Sequence, residues 1–139
     1  MKRPLLLAAS AFLLASQVAF AASMPFASET TAKGSILTDT KGMTLYTFDK
    51  DKKGVSNCYG TCAQFWPPFE AAPGAEASGP YSLVTRKDGS KQWAFNGMPL
   101  YFFKQDTAKG QVTGDGFRGV WHVVHPTQAA TGGSSGGSW

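Results

Sequence analysis

The sequence contains few of the residues from which catalytic and metal sites are built. It has 2 histidines, 2 cysteines and 9 acidic residues in 139. No serine or cysteine stands in a nucleophile elbow or a triad signature. The acidic residues never form the dense ladder of a calcium loop. These absences predict a protein that is not an enzyme and that carries no cofactor.

Strong charge of either sign is also missing. Of the 13 lysines and arginines, Lys2 and Arg3 lie at the extreme N-terminus, which leaves 11 basic residues against 9 acidic ones. No run of like charges occurs, and the segment DKDKKG alternates in sign, as a solvated loop does. We therefore expect no nucleic-acid partner.

No apolar run is long enough to span a membrane. The longest, residues 5–20, falls short of the roughly 20 residues that a spanning helix needs. Basic residues precede it and small residues follow it, which is the form of a secretory signal peptide with cleavage after Ala21 or Ala22. No lipid-attachment cysteine follows the run. We expect residues 1–22 to be removed and the protein to be periplasmic or secreted, with no transmembrane segment.

The two cysteines, Cys58 and Cys62, are expected to form a disulfide because export leads to an oxidising compartment. On a helix, Cβ atoms at positions i and i+4 lie about 5–6 Å apart, whereas a disulfide requires about 3.8 Å. The segment CYGTC is therefore predicted to be a tight loop around Gly60. A redox role is the alternative, although the thioredoxin-like motif is C-x-x-C and not C-x-x-x-C.

A ten-residue phrase occurs twice. GMTLYTFDKD, residues 42–51, recurs as GMPLYFFKQD, residues 97–106, with six identities at an offset of 55. The same offset places Trp66 on Trp121, and the register between these points needs no gap. Repetition at a fixed period predicts two copies of one supersecondary unit that pack together.

The patterns around the phrase predict an all-β fold. Both copies show hairpin patterns, with turns at DTKG, KDG and NG. We expect a small antiparallel sheet domain built from two similar hairpin-based repeats, with at most one short helical turn in CAQFWPPF. The predicted organisation is a signal peptide at 1–22, a flexible leader at 23–34, a duplicated domain at 35–126 (repeats 35–70 and 81–126) and a flexible Gly/Ser tail at 127–139.

Within the phrase, side chains alternate between the two faces of a strand. Tyr46 and Phe48 share one face and Leu45 lies on the other, so both faces are apolar and a strand covered on both sides is predicted. Asp51 and Asp106 follow the strands, where an aspartate typically accepts backbone N–H bonds. The phrase is thus interpreted as core plus cap. The alternative is an aromatic groove with an acidic rim that binds a ligand.

These residues also carry a resemblance to a known family. The motif Y-x-[FWY]-x-x-D is matched by Tyr46, Phe48 and Asp51 and again by Tyr101, Phe103 and Asp106. NCYGTCAQFWPPF and DGFRGVWHVVHP match further segments in order, so that the chain resembles, over residues 35–126, the secreted-repeat family often described as predicted lipoproteins. That resemblance implies no established activity. The missing lipid-attachment cysteine argues against membrane tethering here.

Other motifs are interpreted as structural. GDGFRG spells G-x-G-x-x-G, but a β-like segment follows it, so that a glycine-rich loop is expected and not a dinucleotide site. His122 and His125 point to opposite faces if they lie on one strand. Metal binding by these histidines therefore remains a weak alternative.

The function predicted from these observations is that of an exported, non-enzymatic protein of the cell envelope with a binding or structural accessory role. Its partner would be an envelope component or a small ligand of unknown identity. The alternative is a periplasmic redox or metal-handling protein that uses Cys58 and Cys62 with His122 and His125. The candidate binding surface is aromatic: Tyr59, Trp66, Trp93 and Trp121, together with Tyr46, Phe65 and Tyr101.

Overall fold

The computed structural model describes residues 24–126, together with 2, 4 and 9–14. The strands are β1 (Phe26–Thr31), β2 (Gly34–Asp39), β3 (Tyr46–Phe48), β4 (Tyr81–Thr85), β5 (Lys91–Phe95), β6 (Met98–Pro99) and β7 (Trp121–Val123). One short helix, α1 (Thr61–Phe65), and one 3-10 helix (Phe117–Gly119) complete the fold. The all-β prediction is confirmed. Within the described part of the chain, no helix is both long and apolar enough to cross a bilayer.

Strand β1 corrects the expectation of a flexible leader over residues 23–34. It pairs with β2 along its whole length, through a two-residue turn at Ala32 and Lys33. The Phe26 ring packs this strand against the core. Its centroid lies 4.0 Å from that of Tyr81, on which it stacks, and 5.3 Å from that of Trp93, which it contacts edge-on. The mostly polar sequence of β1 did not indicate this contact with the core. The signal peptide and the Gly/Ser tail fall largely outside the described residues.

One of the three small sheets joins a strand of the first copy to a strand of the second. β1 pairs with β2, and β4, β5 and β6 form a second sheet, but β3 of the first copy pairs with β7 of the second. At the centre, the amide of Tyr46 donates to the carbonyl of Tyr101 at 2.8 Å, and the amide of Tyr101 donates to that of Tyr46 at 3.0 Å. This reciprocal bridge relates the copies by a local two-fold axis.

The turn before the repeated phrase differs between the copies by one residue. The backbone amide of Leu45 donates to the Leu37 carbonyl, whereas the backbone amide of the equivalent Leu100 donates to the Trp93 carbonyl. The second copy closes this turn with Asn96 and Gly97, whose positive φ angles of 50° and 83° suit a two-residue hairpin turn. The ungapped register therefore holds for the phrase but not for the hairpin strand before it.

The core consists of two clusters on opposite faces of the repeated phrase, and both copies contribute to each. One cluster contains Ile36, Tyr46, Phe48, Cys58, Trp66, Tyr101, Phe103, Trp121 and Val123. The other contains Leu37, Leu45, Trp93, Phe95, Leu100 and Val124. The alternation of faces predicted for the phrase is confirmed, and the copies share one core.

Candidate functional site

The tyrosine of each repeated phrase bonds the aspartate of the other copy. Tyr46 Oη donates to Asp106 Oδ2 at 2.6 Å, and Tyr101 Oη donates to Asp51 Oδ2 at 2.6 Å. All four side chains are buried. The motif therefore joins the two copies, whereas sequence reasoning placed each aspartate only at the end of its own strand.

The second oxygen of each aspartate has the capping role that the sequence indicated. Asp51 Oδ1 accepts the Asn57 amide at 2.7 Å, and Asp106 Oδ1 accepts the Thr113 amide at 3.1 Å. Each aspartate thus fixes the loop that follows its own strand and the tyrosine of the opposite copy. The carboxylate oxygens of these two aspartates are thus engaged inside the core and do not line an exposed groove.

The protonation states agree with a structural role for these pairs. Burial, followed by the hydrogen bonds to Asp106 and Asp51, raises the pKa values of Tyr46 and Tyr101 well above the ordinary range of tyrosine. Burial also raises the pKa of Asp51, although the hydrogen bonds from Tyr101 and Asn57 oppose that effect. Both shifts favour the neutral form of the tyrosines.

A buried arginine distinguishes the pair at Tyr101 from its counterpart. Arg86 Nη1 donates to Ser56 Oγ at 3.0 Å and to Gln92 Oε1 at 2.7 Å, and Nη2 donates to the Cys58 carbonyl at 2.8 Å. Ser56 in turn contacts Tyr101 Oη at 2.6 Å. Arg86 therefore ties the cysteine loop to the central tyrosine. Sequence reasoning missed this role, because an arginine beside a hairpin turn is normally solvated.

Four aromatic rings form one continuous stack on the first core cluster. Phe48 stacks on Trp121 at 4.3 Å, Trp121 on Trp66 at 3.8 Å, and Trp66 on Phe103 at 4.1 Å. The rings alternate between the copies, so the local two-fold axis passes between the tryptophans. Gly114 permits the stack, since a Cβ at this residue would lie 2.6 Å from Trp66.

An open pocket of about 390 Å³ lies against this stack, and we call it the aromatic pocket. Helix α1 provides one side and the 3-10 helix the other. Half of its lining residues are aromatic and two are basic: Phe48, Lys50, Thr61, Cys62, Phe65, Trp66, Phe103, Gln105, Phe117, Arg118, Val120 and Trp121. Phe65 and Phe117 are 46% and 37% exposed, although phenylalanine is a residue that folding usually buries.

The aromatic surface predicted from sequence is divided by the fold. Trp66, Trp121 and Phe65 line the aromatic pocket, but Trp93 lies in the second core cluster. Tyr59 packs elsewhere, beneath Arg86 and Lys87 at 4.3 and 4.6 Å. Tyr46 and Tyr101 are wholly buried. Phe117 was missed, because its loop looked like a glycine-rich connection.

The disulfide forms between Cys58 and Cys62, with an S–S distance of 2.07 Å. The tight loop expected for CYGTC extends only to Gly60. This residue, with a φ of 58°, is the N-cap of helix α1, so that Cys62 already lies in the first helical turn. The sulfur atoms are therefore bonded to each other beside the pocket. This state does not favour the redox alternative.

The histidines are not brought together in a metal site. His122 Nε2 contacts Asp49 Oδ2 at 2.8 Å, and His125 Nδ1 contacts the Ser35 carbonyl at 2.9 Å. Across residues 24–126, no group of three or more histidine, cysteine, aspartate and glutamate side chains is arranged to bind a metal ion. GDGFRG forms a turn and the 3-10 helix, as a glycine-rich loop should.

The fold and the pocket define a duplicated β module with a shared core and an aromatic pocket at the junction of its copies. The chain belongs to a family described as a secreted repeat of unknown function, whose model matches residues 27–70 and 82–125. The two matches correspond to the two copies, and the first includes most of β1. Comparison with curated proteins and with solved structures gave no match.

Proposed function

We propose that this protein is an exported, non-enzymatic binding protein of the cell envelope, and that the aromatic pocket binds a small apolar ligand. The exposure of Phe65 and Phe117 above the ring stack is the observation that carries the proposal. Leaving apolar surface in water is unfavourable by roughly 25 cal/mol per Å², and a ligand that covers it regains this free energy. The cavity volume lies at the lower end of the roughly 300–1,000 Å³ of small-molecule sites.

The chemistry of the lining supports binding over catalysis. The titratable groups nearest the centre of the fold, the two Tyr–Asp pairs, are already bonded to each other. The pocket itself offers aromatic faces and edges, which provide contact area without reactive groups. A binding role at the envelope also agrees with the description of the family as secreted.

Binding of the neutral fluorescent probe N-phenyl-1-naphthylamine tests the proposal. The protein is recovered from the periplasmic fraction of an expression host, where its intact mass reports whether residues 1–22 were removed. We expect saturable binding, and a loss of affinity of about tenfold in Phe65→Ser and in Phe117→Ser. Removing one aromatic wall forfeits about 1.5 kcal/mol or more of apolar contact.

Val55→Ser is the matched control. Val55 is 49% exposed but does not line the pocket, so its replacement should leave the affinity unchanged. Circular dichroism shows whether each variant is folded. Equal affinity in all four proteins would place the probe elsewhere and contradict the proposal.

A further inference from the structure

The charge at the aromatic pocket is of one sign. Lys50 and Arg118 are its charged lining residues, and none of the lining residues is acidic. Asp49, next to Lys50 in the chain, turns away and contacts His122 at 2.8 Å. Neither Lys50 nor Arg118 belongs to an ion pair within the described part of the chain. The pocket therefore combines an apolar interior with two cations that no carboxylate neutralises.

Arg118 is presented in a costly backbone conformation. Its φ of 51° lies in the left-handed region, which a residue with a Cβ rarely adopts. The other non-glycine residue with positive φ in the described chain is Asn96, a type that tolerates this region in a hairpin turn. The Arg118 guanidinium lies 5.5 Å from the Phe117 ring, on the pocket wall. Strain of this kind is concentrated where a side chain must be positioned for a ligand.

From these features we infer that the aromatic pocket selects small apolar anions, with an aryl or alkyl body and one acidic group such as a carboxylate or sulfonate. This inference rests on the proposed function. The body packs against Phe65, Phe117 and the ring stack, and Lys50 and Arg118 attract the acidic group. Uncompensated cations at the mouth of an apolar site concentrate anions there. Because both side chains are exposed, each charge contributes only about a two- to fivefold gain in affinity.

Two probes with the same aromatic body isolate the contribution of charge. 1-Anilinonaphthalene-8-sulfonate is N-phenyl-1-naphthylamine with one added sulfonate. Both are titrated into the wild-type protein and the variant K50Q/R118N. Glutamine already lines the pocket at Gln105, which the repeat offset equates with Lys50. Asparagine tolerates the left-handed conformation at residue 118.

We expect the dissociation constant of the sulfonate to rise about four- to twentyfold in K50Q/R118N, while that of the neutral probe stays unchanged. Lys52→Gln removes an exposed lysine that does not line the pocket, and it should alter neither constant. High salt should weaken the sulfonate alone, since it screens exposed charges.

Other outcomes separate this inference from the proposed function. If the neutral probe binds and Phe65→Ser weakens it, but K50Q/R118N binds the sulfonate as the wild type does, the anion preference is wrong and the proposed function stands. An equal loss for both probes would show that Arg118 acts only by packing on Phe117, and it would also overturn the inference. Absence of binding by either probe would overturn both.

Discussion

At the scale of single residues, the central feature is that two tyrosines and two aspartates bond across the copies. Tyr46 and Tyr101 are joined by two backbone hydrogen bonds. The Tyr46 hydroxyl donates to Asp106, and the Tyr101 hydroxyl donates to Asp51. Buried hydroxyls and carboxylates must be paired, since an unsatisfied group costs about 1–3 kcal/mol. The repeated motif therefore joins the two copies through buried hydrogen bonds.

Removal of one tyrosine hydroxyl should break one Tyr–Asp hydrogen bond between the copies. In Tyr46→Phe and in Tyr101→Phe the ring still fills the core, but a buried aspartate oxygen loses its donor. We expect each variant to lose about 1–3 kcal/mol in the free energy of unfolding. Losses of similar size are expected, because each hydroxyl has a second partner: Tyr46 Oη accepts the Gly114 amide at 3.2 Å, and Ser56 Oγ contacts Tyr101 Oη at 2.6 Å. Urea unfolding followed by tryptophan fluorescence measures the loss.

Tyr81→Phe serves as the control for that series. The Tyr81 hydroxyl takes part in neither Tyr–Asp pair, and its ring contacts with Phe26 and Phe95 are retained in the variant. A change below about 0.5 kcal/mol is expected. If Tyr46→Phe and Tyr101→Phe were as mild as this control, the crossed pairs would not contribute to stability.

The same tyrosines predict how stability changes at alkaline pH. Their pKa values are raised in the folded protein above the ordinary value of about 10, so their contribution is complete below pH 10 and is lost as the pH rises further. Each can lower the free energy of unfolding by up to about 1.4 kcal/mol per pH unit there. Absorbance at 295 nm should show that these two of the 4 tyrosines ionise only on unfolding. Ionisation of all four in the folded protein would contradict the buried pairs.

At the scale of elements, helix α1 depends on the disulfide. A five-residue helix is too short to be stable alone, and no side chain caps its N-terminus. The Cys58–Cys62 bond closes the loop immediately before it, and Arg86 bonds the Cys58 carbonyl behind that loop. The disulfide and the buried Arg86 guanidinium thus support helix α1, which forms one side of the aromatic pocket.

Replacing both cysteines should therefore destabilise the fold and the pocket together. C58A/C62A is expected to lose about 2 kcal/mol in unfolding free energy, the chain-entropy value for so short a loop. Urea unfolding measures the loss, and dithiothreitol should reproduce it in the wild-type protein without further effect on the variant. An unchanged stability in both cases would show that Arg86 and packing alone hold the loop.

At the scale of the whole molecule, the sequence predicted what depends on local pattern. Repetition, alternation of faces and hairpin turns follow from spacing, and the cysteine pairing follows from export to an oxidising compartment; the structure contains each of them. Pairing between the copies could not be predicted, because a repeat supplies each tyrosine with two chemically identical aspartates. In the structure, the backbone bridge between Tyr46 and Tyr101 sets the two phrases side by side, and each tyrosine bonds the aspartate of the other copy.

Two features that sequence reasoning missed, strand β1 and Phe117, have a common cause. Strand β1 is polar after Phe26 and Ala27, and Phe117 stands in a glycine-rich loop, so neither segment shows an apolar period. Both acquire their position from tertiary contacts with residues far away in the chain. Trp93 was predicted to belong to the aromatic binding surface, whereas it packs in the second core cluster.

The tryptophan side chains offer the most direct test of the claim that the aromatic pocket is the binding site. Indole N–H resonances, assigned by single Trp→Phe substitutions, are followed by ¹⁵N NMR while N-phenyl-1-naphthylamine is added. The account predicts that the resonances of Trp66 and Trp121, which line the pocket, shift with saturation. That of Trp93, in the second core cluster, should stay in place. A shift of Trp93 alone, or no shift in Trp66 and Trp121 at saturation, would contradict it.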